Sequence, residues 1–444
     1  MKDIVREAAI KCYLNIESGN VFVQDALTRS FKHYKLHPKQ KRALHELIMG
    51  AVKMRGRLEY IINQFAKQDL SRWTKACLML GLYQLIFSSG TPDYAAVNEF
   101  VELTARHENP GAASLVNAVL RRYQREQDKI KYPDKDNNPV GYLKDYYSLP
   151  VWICSDWVRR YGVDNAVKLA EWANSRRYPS LKLYSLLKSI PSDDYLLNEG
   201  FESNKYFSQY YNYIGKGDPR DSRPYKDSQV YFQDPSSGLA VSLSGAKPGD
   251  KILDVGASPG GKTLNLYEKI RGKGKLTAIE INKGKLKGLK LNLYRMGVDK
   301  VNIIGEDINS FRSTEEADIV LVDAPCSGLG TLARNADLRW RIRHDDLIGY
   351  SDQQSSMLNS ASRFVKPGGR LIYSTCTLTE EENQNVINSF LHKNKRFKRI
   401  VISEVDGNAK KDFITSEGDL FVLPYLYNTD GAFISIMRRT VEKS

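Results

Sequence analysis

From Val230 onward, short apolar runs alternate with amphipathic stretches of helical period. That alternation restricts this part of the chain to an α/β fold built on a mainly parallel sheet. Strands are predicted at 251–256, 276–281, 301–305, 317–323, 370–375, 397–403 and 432–438, and helices at about 261–270, 283–296, 352–365 and 380–394. Two of the strands lead into cysteines. One is Ala317-Asp318-Ile319-Val320-Leu321-Val322-Asp323-Ala324-Pro325-Cys326; the other is Arg370-Leu371-Ile372-Tyr373-Ser374-Thr375-Cys376, just past the turn Lys366-Pro367-Gly368-Gly369. If they are parallel neighbours, both thiols emerge at the carboxyl edge of one sheet, where open α/β folds bind their ligands. A single buried cysteine is usually inert packing. Two at matching strand ends, one with Asp323 three residues before it, point to covalent chemistry on one substrate.

The preceding half reads differently. Residues 3 to about 125 carry helical periods only, as in Val5, Ala8, Cys12 and Ile16, or Leu44, Leu47, Ile48, Ala51 and Val52 after Pro38. Trp73 to Phe87 is apolar on nearly every side and is predicted to be the central buried helix. Cys12 and Cys77 lie on apolar faces and read as packing. A hydrophilic linker, Tyr132 to Pro139, precedes helices at 151–161 and 165–173. Residues 176 to about 228 mix Tyr, Ser, Lys and Asp, with one strand at Leu181 to Leu187, and are taken as a small bridging subdomain. The 444 residues thus divide into a helical domain (1–130), a linker and bridging subdomain (140–228) and an α/β domain (229–444).

A net charge of +14 points to a polyanionic partner, and 26 tyrosines offer stacking surfaces, so RNA or DNA is the expected ligand. Lys39, Lys41, Arg42, Lys53, Arg55, Arg57, Arg121, Arg122 and Arg125 supply cations for phosphates in the helical part. Five cysteines and six scattered histidines show neither a disulfide framework nor metal-ligand spacing. The start lacks an apolar signal core, and no run approaches the ~18 apolar residues of a spanning helix. A cytoplasmic protein with free thiols, and with no metal or membrane partner, is expected.

Strand 251–256 runs into Asp254-Val255-Gly256-Ala257-Ser258-Pro259-Gly260-Gly261-Lys262-Thr263. Gly256 to Thr263 satisfies the phosphate-loop pattern G-x-x-x-x-G-K-T, and the run ending at Asp323 could serve as its acidic strand. A nucleotide hydrolase is therefore one reading. Three features weigh against it. Pro259 has no N–H to give to a phosphate nest. Glu280 ends the next strand, where nucleoside-binding α/β folds place the acid that grips ribose hydroxyls. A hydrolase also gives no reason for Cys326 and Cys376. A glycine loop at a helix start holds a carboxylate as readily as a phosphate. S-adenosylmethionine offers a carboxylate, a ribose and an adenine, but no phosphate. Asp254 and the loop backbone from Gly256 through Ala257, Ser258, Pro259, Gly260 and Gly261 to Lys262 would hold its methionine part, Glu280 its ribose, and Asp307 would sit beside the adenine.

As a set, Asp254 with Pro259-Gly260-Gly261-Lys262-Thr263, Asp323-Ala324-Pro325-Cys326-Ser327-Gly328, Tyr373-Ser374-Thr375-Cys376 with Glu381-Glu382-Asn383, and Asp430-Gly431-Ala432-Phe433 resemble the RNA cytosine-C5 methyltransferases of the NOP2/Sun family. Trp73, Met79 to Leu85, Pro92, Val97-Asn98-Glu99 and Leu115 to Arg121 resemble the NusB-like RNA-binding domain. Together these resemblances imply a multidomain chain: an all-α NusB-like domain, a bridging subdomain and a Rossmann-like class I methyltransferase domain. They imply S-adenosylmethionine-dependent methylation of a cytosine in small-subunit (16S) ribosomal RNA, free or in a partly assembled subunit, by a monomer. They assign the nucleophile to Cys376, product release to Cys326, a cytosine contact and a place beside the cofactor to Asp323, and an orienting role to Lys262. The chain departs from the family at Gly256, where Cys is common, at Ser258 and Ala336, where Ala and Pro are usual, and at Asp234 to Gly238, which lacks a Gln. A non-catalytic RNA-binding assembly or antitermination factor is the alternative suggested by residues 1–125 alone.

Overall fold

The computed structural model describes residues 4–19, 21–67, 69–88, 92–187, 189–402 and 413–441. Its contacts separate two compact units, Met1–Ser175 with Leu332–Ile342, and Arg176–Thr331 with Arg343–Ser444.

The first unit is helical: α1 (Ile4–Glu17), α2 (Val23–His33), α3 (Pro38–Lys53), α4 (Arg55–Phe65), α5 (Arg72–Phe87), α6 (Asp93–His107), α7 (Pro110–Glu126), α8 (Pro139–Asp145) and α9 (Val151–Asn174). The helix starts follow from side-chain caps. Ser71 accepts from Thr74 N before α5, Asn109 from Ala112 N before α7, and Pro38 and Pro110 occupy first-turn positions. The apolar α5 is buried from Ala76 to Leu82, as expected of a central helix. Cys12 and Cys77 are buried with it, and burial pushes their thiols up to about 11 and about 12. The two helices expected at 151–173 form one element broken at Gly162, whose φ of 74° only glycine adopts easily.

Residues 332–342 pack within this unit although they follow the α/β strand that ends at Asp323. Arg339 is fully buried and donates to the carbonyls of Lys53 (3.3 Å), Ser148 (3.2 Å) and Ala173 (2.9 Å) and to Asn174 Oδ1 (2.8 Å). Trp340 Nε1 donates to Val52 O, and Asp337 accepts from Val23 N. The same packing occupies cations that the sequence offered to phosphates. Lys53 donates to Ser175 O and Ala333 O, Arg55 pairs with Glu59 and lies over Trp340, and Arg57 stacks on Tyr132 and Tyr146. Lys39, Lys41, Arg42 and Arg125 stay exposed.

In the second unit, β1 (Ser180–Leu183), β2 (Phe201–Ser203), β3 (Tyr210–Tyr213) and β4 (Val230–Phe232) form an antiparallel sheet of order β2-β3-β1-β4. Leu181, Leu183, Phe201, Tyr211, Tyr213 and Val230 make its core. The strand expected to reach Leu187 stops at Leu183. Strands this short, rich in Tyr, Asn and Lys, carry too little alternation to be read.

The larger sheet contains β5 (Lys251–Val255), β6 (Lys275–Ile279), β7 (Val301–Ile304), β8 (Ala317–Asp323), β9 (Val365–Thr375), β10 (Phe397–Arg399) and β12 (Ala432–Arg439), with β11 (Leu420–Val422) paired to β12. The order is β10-β12-β9-β8-β5-β6-β7, parallel from β9 to β7 and antiparallel around β12. The helices Gly261–Lys269, Lys283–Arg295, Asp346–Ser362 and Gln384–Lys393 connect its strands. Several elements differ from expectation: β6 ends at Ile279 rather than 281, and the helix expected from 380 starts at Gln384. β9 starts at Val365 rather than at 370, and the helix predicted at 352–365 starts at Asp346. β11 was not foreseen, and the run 397–403 is strand only to Arg399, its last residue lying outside the described residues. Among the described residues, no helix is long and apolar enough to cross a membrane.

Arg339→Ala should destabilise the chain by about 3 kcal/mol, since it leaves buried carbonyls without donors. Denaturant melts of the full chain measure this, and Arg339→Lys should recover little, because an ammonium lacks the guanidinium's fork.

Candidate active site

In the order β7-β6-β5-β8-β9 the connections reverse between β5 and β8, which is the switch point where open α/β sheets hold ligands. The sequence-predicted residues collect at this edge. β5 ends in the glycine loop, whose Gly256 N and Ala257 N donate to Ile279 O of β6. Gly256 has φ +78°, and a Cβ there would lie 2.2 Å from Asp323 O. The departure from the family's Cys therefore suits a loop that passes against the end of β8 in a left-handed conformation. Gly260, at φ +105°, is the N-cap of Gly261–Lys269. The first N–H groups of that helix have no intrahelical acceptor.

Asp254 differs from the other acids. It is fully buried, Thr263 Oγ1 donates to its Oδ2 at 2.6 Å, and Oδ1 has no partner. Burial pushes its carboxyl up to about 7 against the Thr263 hydrogen bond; the charge of Asp323 adds to the rise and Lys262 opposes it. Glu280 follows β6 and accepts from Asn282 N at 2.8 Å, and Asp307, beyond β7, accepts from Asn309 N at 2.9 Å. These three acids stand at the ends of three adjacent parallel strands.

Across the switch point, Lys262 Nζ lies 2.8 Å from Asp323 Oδ2. Burial pulls the ammonium down, but Asp323, then Cys376 and Asp254, more than reverse this, and its pKa stands above the ordinary lysine value. In the pairing of β8 with β9, Asp323 is opposite Ser374, and the two thiols that follow come to 3.4 Å, Sγ to Sγ. Both are partly exposed, whereas Cys12, Cys77 and Cys154 are buried. Cys326 is held well above the ordinary thiol range, first by the hydrogen bond to Cys376, then by burial and by the charges of Cys376 and Glu382.

Beneath the thiols lies a network to which sequence reasoning gave no role. Glu382 accepts from Ser327, Thr377, Thr379 and Gln354, while Asn383 bonds Thr375 and Thr377. Its signal was the segment Glu381-Glu382-Asn383, which entered only as part of the family resemblance, without a role of its own. Gly330 completes the edge, since its N–H donates to Cys376 O and it accepts from Gly431 N. Among the described residues, no group of three or more His, Cys, Asp or Glu could hold a metal ion.

Known proteins resemble both parts of the chain. Residues 241–438 match the family described as 16S rRNA methyltransferase RsmB/F, and residues 3–125 match the NusB family. A probable ribosomal RNA small subunit methyltransferase B of Bacillus subtilis is 30% identical over 446 residues, covering 99% of each chain. The ribosomal RNA small subunit methyltransferase B of Vibrio vulnificus is 29% identical over 87% of this chain and 90% of its own. Among solved structures, PH0851 is similar in fold over 99% of each chain, with a TM-score of 0.77 at 24% identity. NSun6 from Pyrococcus horikoshii, solved with SFG, covers 68% of this chain and 98% of its own, with a TM-score of 0.56 at 18% identity.

Asp254 should leave a mark on stability. A carboxyl near 7 in the folded chain and near 4 in the unfolded one binds more protons when folded between those values, so stability falls as pH rises from about 4 to about 7. Denaturant melts without ligand should show Asp254→Asn losing about 2 kcal/mol less than the parent between pH 5 and pH 8.

Proposed function

Because the chain belongs to the S-adenosylmethionine-dependent ribosomal RNA small subunit methyltransferase B family, we propose that it methylates C5 of a cytosine in small-subunit ribosomal RNA through a transient bond from Cys376 to C6. The observation that carries this reading is the pair of thiols 3.4 Å apart at the ends of neighbouring parallel strands, beside the Lys262–Asp323 pair.

The residues at the switch point fit the cofactor. The loop at Gly256 has no space for a side chain, and it leads into a helix start with free N–H groups, a combination suited to a carboxylate. We assign the backbone from Gly256 to Lys262 to the methionine part, Glu280 to the ribose hydroxyls and Asp307 to the adenine. Asp254, wholly buried, supports the loop through Thr263, and Asp323 borders both cofactor and base. When bound, S-adenosylmethionine supplies an electrophilic methyl group.

Cytosine C5 is a weak nucleophile, and addition of a thiolate at C6 makes it electron-rich. The Cys376 sulfur forms the bond to C6 with its own electron pair, and the C5–C6 π pair shifts onto C5. Asp323 accepts from the exocyclic amine of the base, held in place by Lys262. After C5 is methylated, its proton leaves, the electron pair restores the C5–C6 double bond, and Cys376 departs as thiolate. Cys326 is assigned to that proton. In the resting site its proton is held by the contact with Cys376, by burial and by nearby charge. Once Cys376 is bonded to carbon, that contact is gone; Cys326 then releases its own proton to solvent and, as thiolate, takes the proton from C5. A base stacked in a helix cannot reach this edge, so the target nucleotide must be flipped or unpaired. The helical unit, with Lys39, Lys41, Arg42 and Arg125 exposed, is assigned to phosphate contacts.

The two thiols should fail at different stages. Cys376→Ala should bind RNA but form no covalent species and transfer no methyl group. Cys326→Ala should add to the base and methylate it, then stall as a protein–RNA adduct that survives denaturing electrophoresis. Full activity in both variants would show the thiols to be structural. For docking, Lys39→Ala, Lys41→Ala and Arg42→Ala together should weaken RNA binding and reduce its salt dependence, with cofactor affinity unchanged in calorimetry.

A further inference from the structure

We propose that Glu382 is a positioning residue for the reaction: it ties the loop after β8 to the loop after β9 and so sets the spacing of the two thiols. The proposal rests on the reading of Cys376 and Cys326 as the reacting pair.

Glu382 is fully buried, and its partners are neutral. Oε1 accepts from Ser327 N at 2.8 Å and Gln354 Nε2 at 3.0 Å. Oε2 accepts from Thr379 Oγ1 at 2.8 Å, Thr377 Oγ1 at 3.2 Å and Ser327 Oγ. Five donors converging on two oxygens make an expensive arrangement to break, since each buried donor left alone costs about 1–3 kcal/mol. The identity of the donors matters more than their number. Ser327 follows Cys326 and Thr377 follows Cys376, so one carboxyl group holds the residue next to each thiol. The two hydroxyls also meet directly, Ser327 Oγ to Thr377 Oγ1 at 2.7 Å.

The tie reaches further on both sides. Gln354 also donates to Pro325 O at 3.0 Å, which fixes the residue before Cys326. Tyr373 OH donates to Glu382 O at 2.6 Å and locks the glutamate to β9. The effect of Glu382 on the chemistry passes through the loops and through its charge. That charge lies close enough to Cys326 to help hold its proton.

Two variants separate the parts of this role in the full-length protein. Glu382→Gln keeps an acceptor for Ser327 N and Gln354, and its amide can donate to hydroxyls that rotate to accept. Glu382→Ala removes the tie. With RNA and S-adenosylmethionine, Glu382→Ala should lower kcat by roughly 100-fold, as expected when reacting groups are misplaced by about 1 Å, with KM for RNA changed less than about threefold. Glu382→Gln should recover most of that kcat. In RNA-free protein, the pH profile of Cys326 and Cys376 alkylation by iodoacetamide should move down by about one unit in Glu382→Gln, because a negative charge is lost. A Glu382→Ala enzyme with kcat within about threefold of the parent would overturn the proposal. So would a Glu382→Gln enzyme as impaired as Glu382→Ala with an unmoved alkylation profile, the behaviour of a group that only supports the fold. Should Glu382→Ala fail to fold, the Glu382→Gln measurements decide alone. A parent protein that methylates no cytosine would instead defeat the reaction assigned above, while alkylation would still report on Glu382.

Discussion

Two parallel strands can lie side by side only after the chain has left the sheet, crossed over and returned. Between β8 and β9 that return is made by the helix Asp346–Ser362, and it sets Asp323 opposite Ser374. The loops beyond then carry Cys326 and Cys376 to 3.4 Å. A slip of one residue in β9 would turn its side chains to the opposite faces and move Cys376 along the edge. The register is held by burial on both faces, with Leu321, Val322, Leu371, Ile372 and Tyr373 all inaccessible. The spacing of the two thiols at this edge therefore depends on apolar packing several residues away from either sulfur.

Charge is arranged around a single cation. Lys262 pairs directly with Asp323 and feels both Cys376 and Asp254. The neighbouring acids are treated in contrasting ways. Asp254 is enclosed with one oxygen unpartnered and is pushed towards neutrality, whereas Asp323 keeps a salt bridge and partial exposure. Of the two thiols, Cys326 is held neutral by its contact with Cys376, by burial and by nearby charge. Lys262 occupies the lysine of a phosphate-loop pattern, yet its ammonium is engaged by a carboxylate on the adjacent strand. The resemblance to a nucleotide-binding loop is thus confined to spacing.

The segment 332–342 gives the helical unit a part that lies far away in sequence. It begins six residues after Cys326, and the two terminal nitrogens of Arg339 within it donate to main-chain carbonyls and one amide oxygen. Guanidinium groups suit this use, because their fixed fork serves several acceptors at once. The consequence is a division among the cations of this unit. Lys53, Arg55 and Arg57 are engaged within the unit, and Lys39, Lys41 and Arg42 are exposed.

The order of strands and helices after Val230, the helical first part, and the acids and thiols at strand ends were all legible in the sequence. Each is a local property: a hydrophobic period, or the residue where a period stops. The small sheet from β1 to β4 escaped because three- and four-residue strands show almost no period, and β11 escaped for the same reason. Pairings were equally hidden. Lys262 with Asp323, Glu382 with the neighbours of both cysteines, and Arg339 with Lys53 join residues as far as 286 positions apart. Sequence by itself determined which groups are available for chemistry and at which strand ends they stand. Only the tertiary structure decided which of them meet, because a buried polar group takes its partner from whatever the packed chain brings within about 3 Å, and no linear pattern records that.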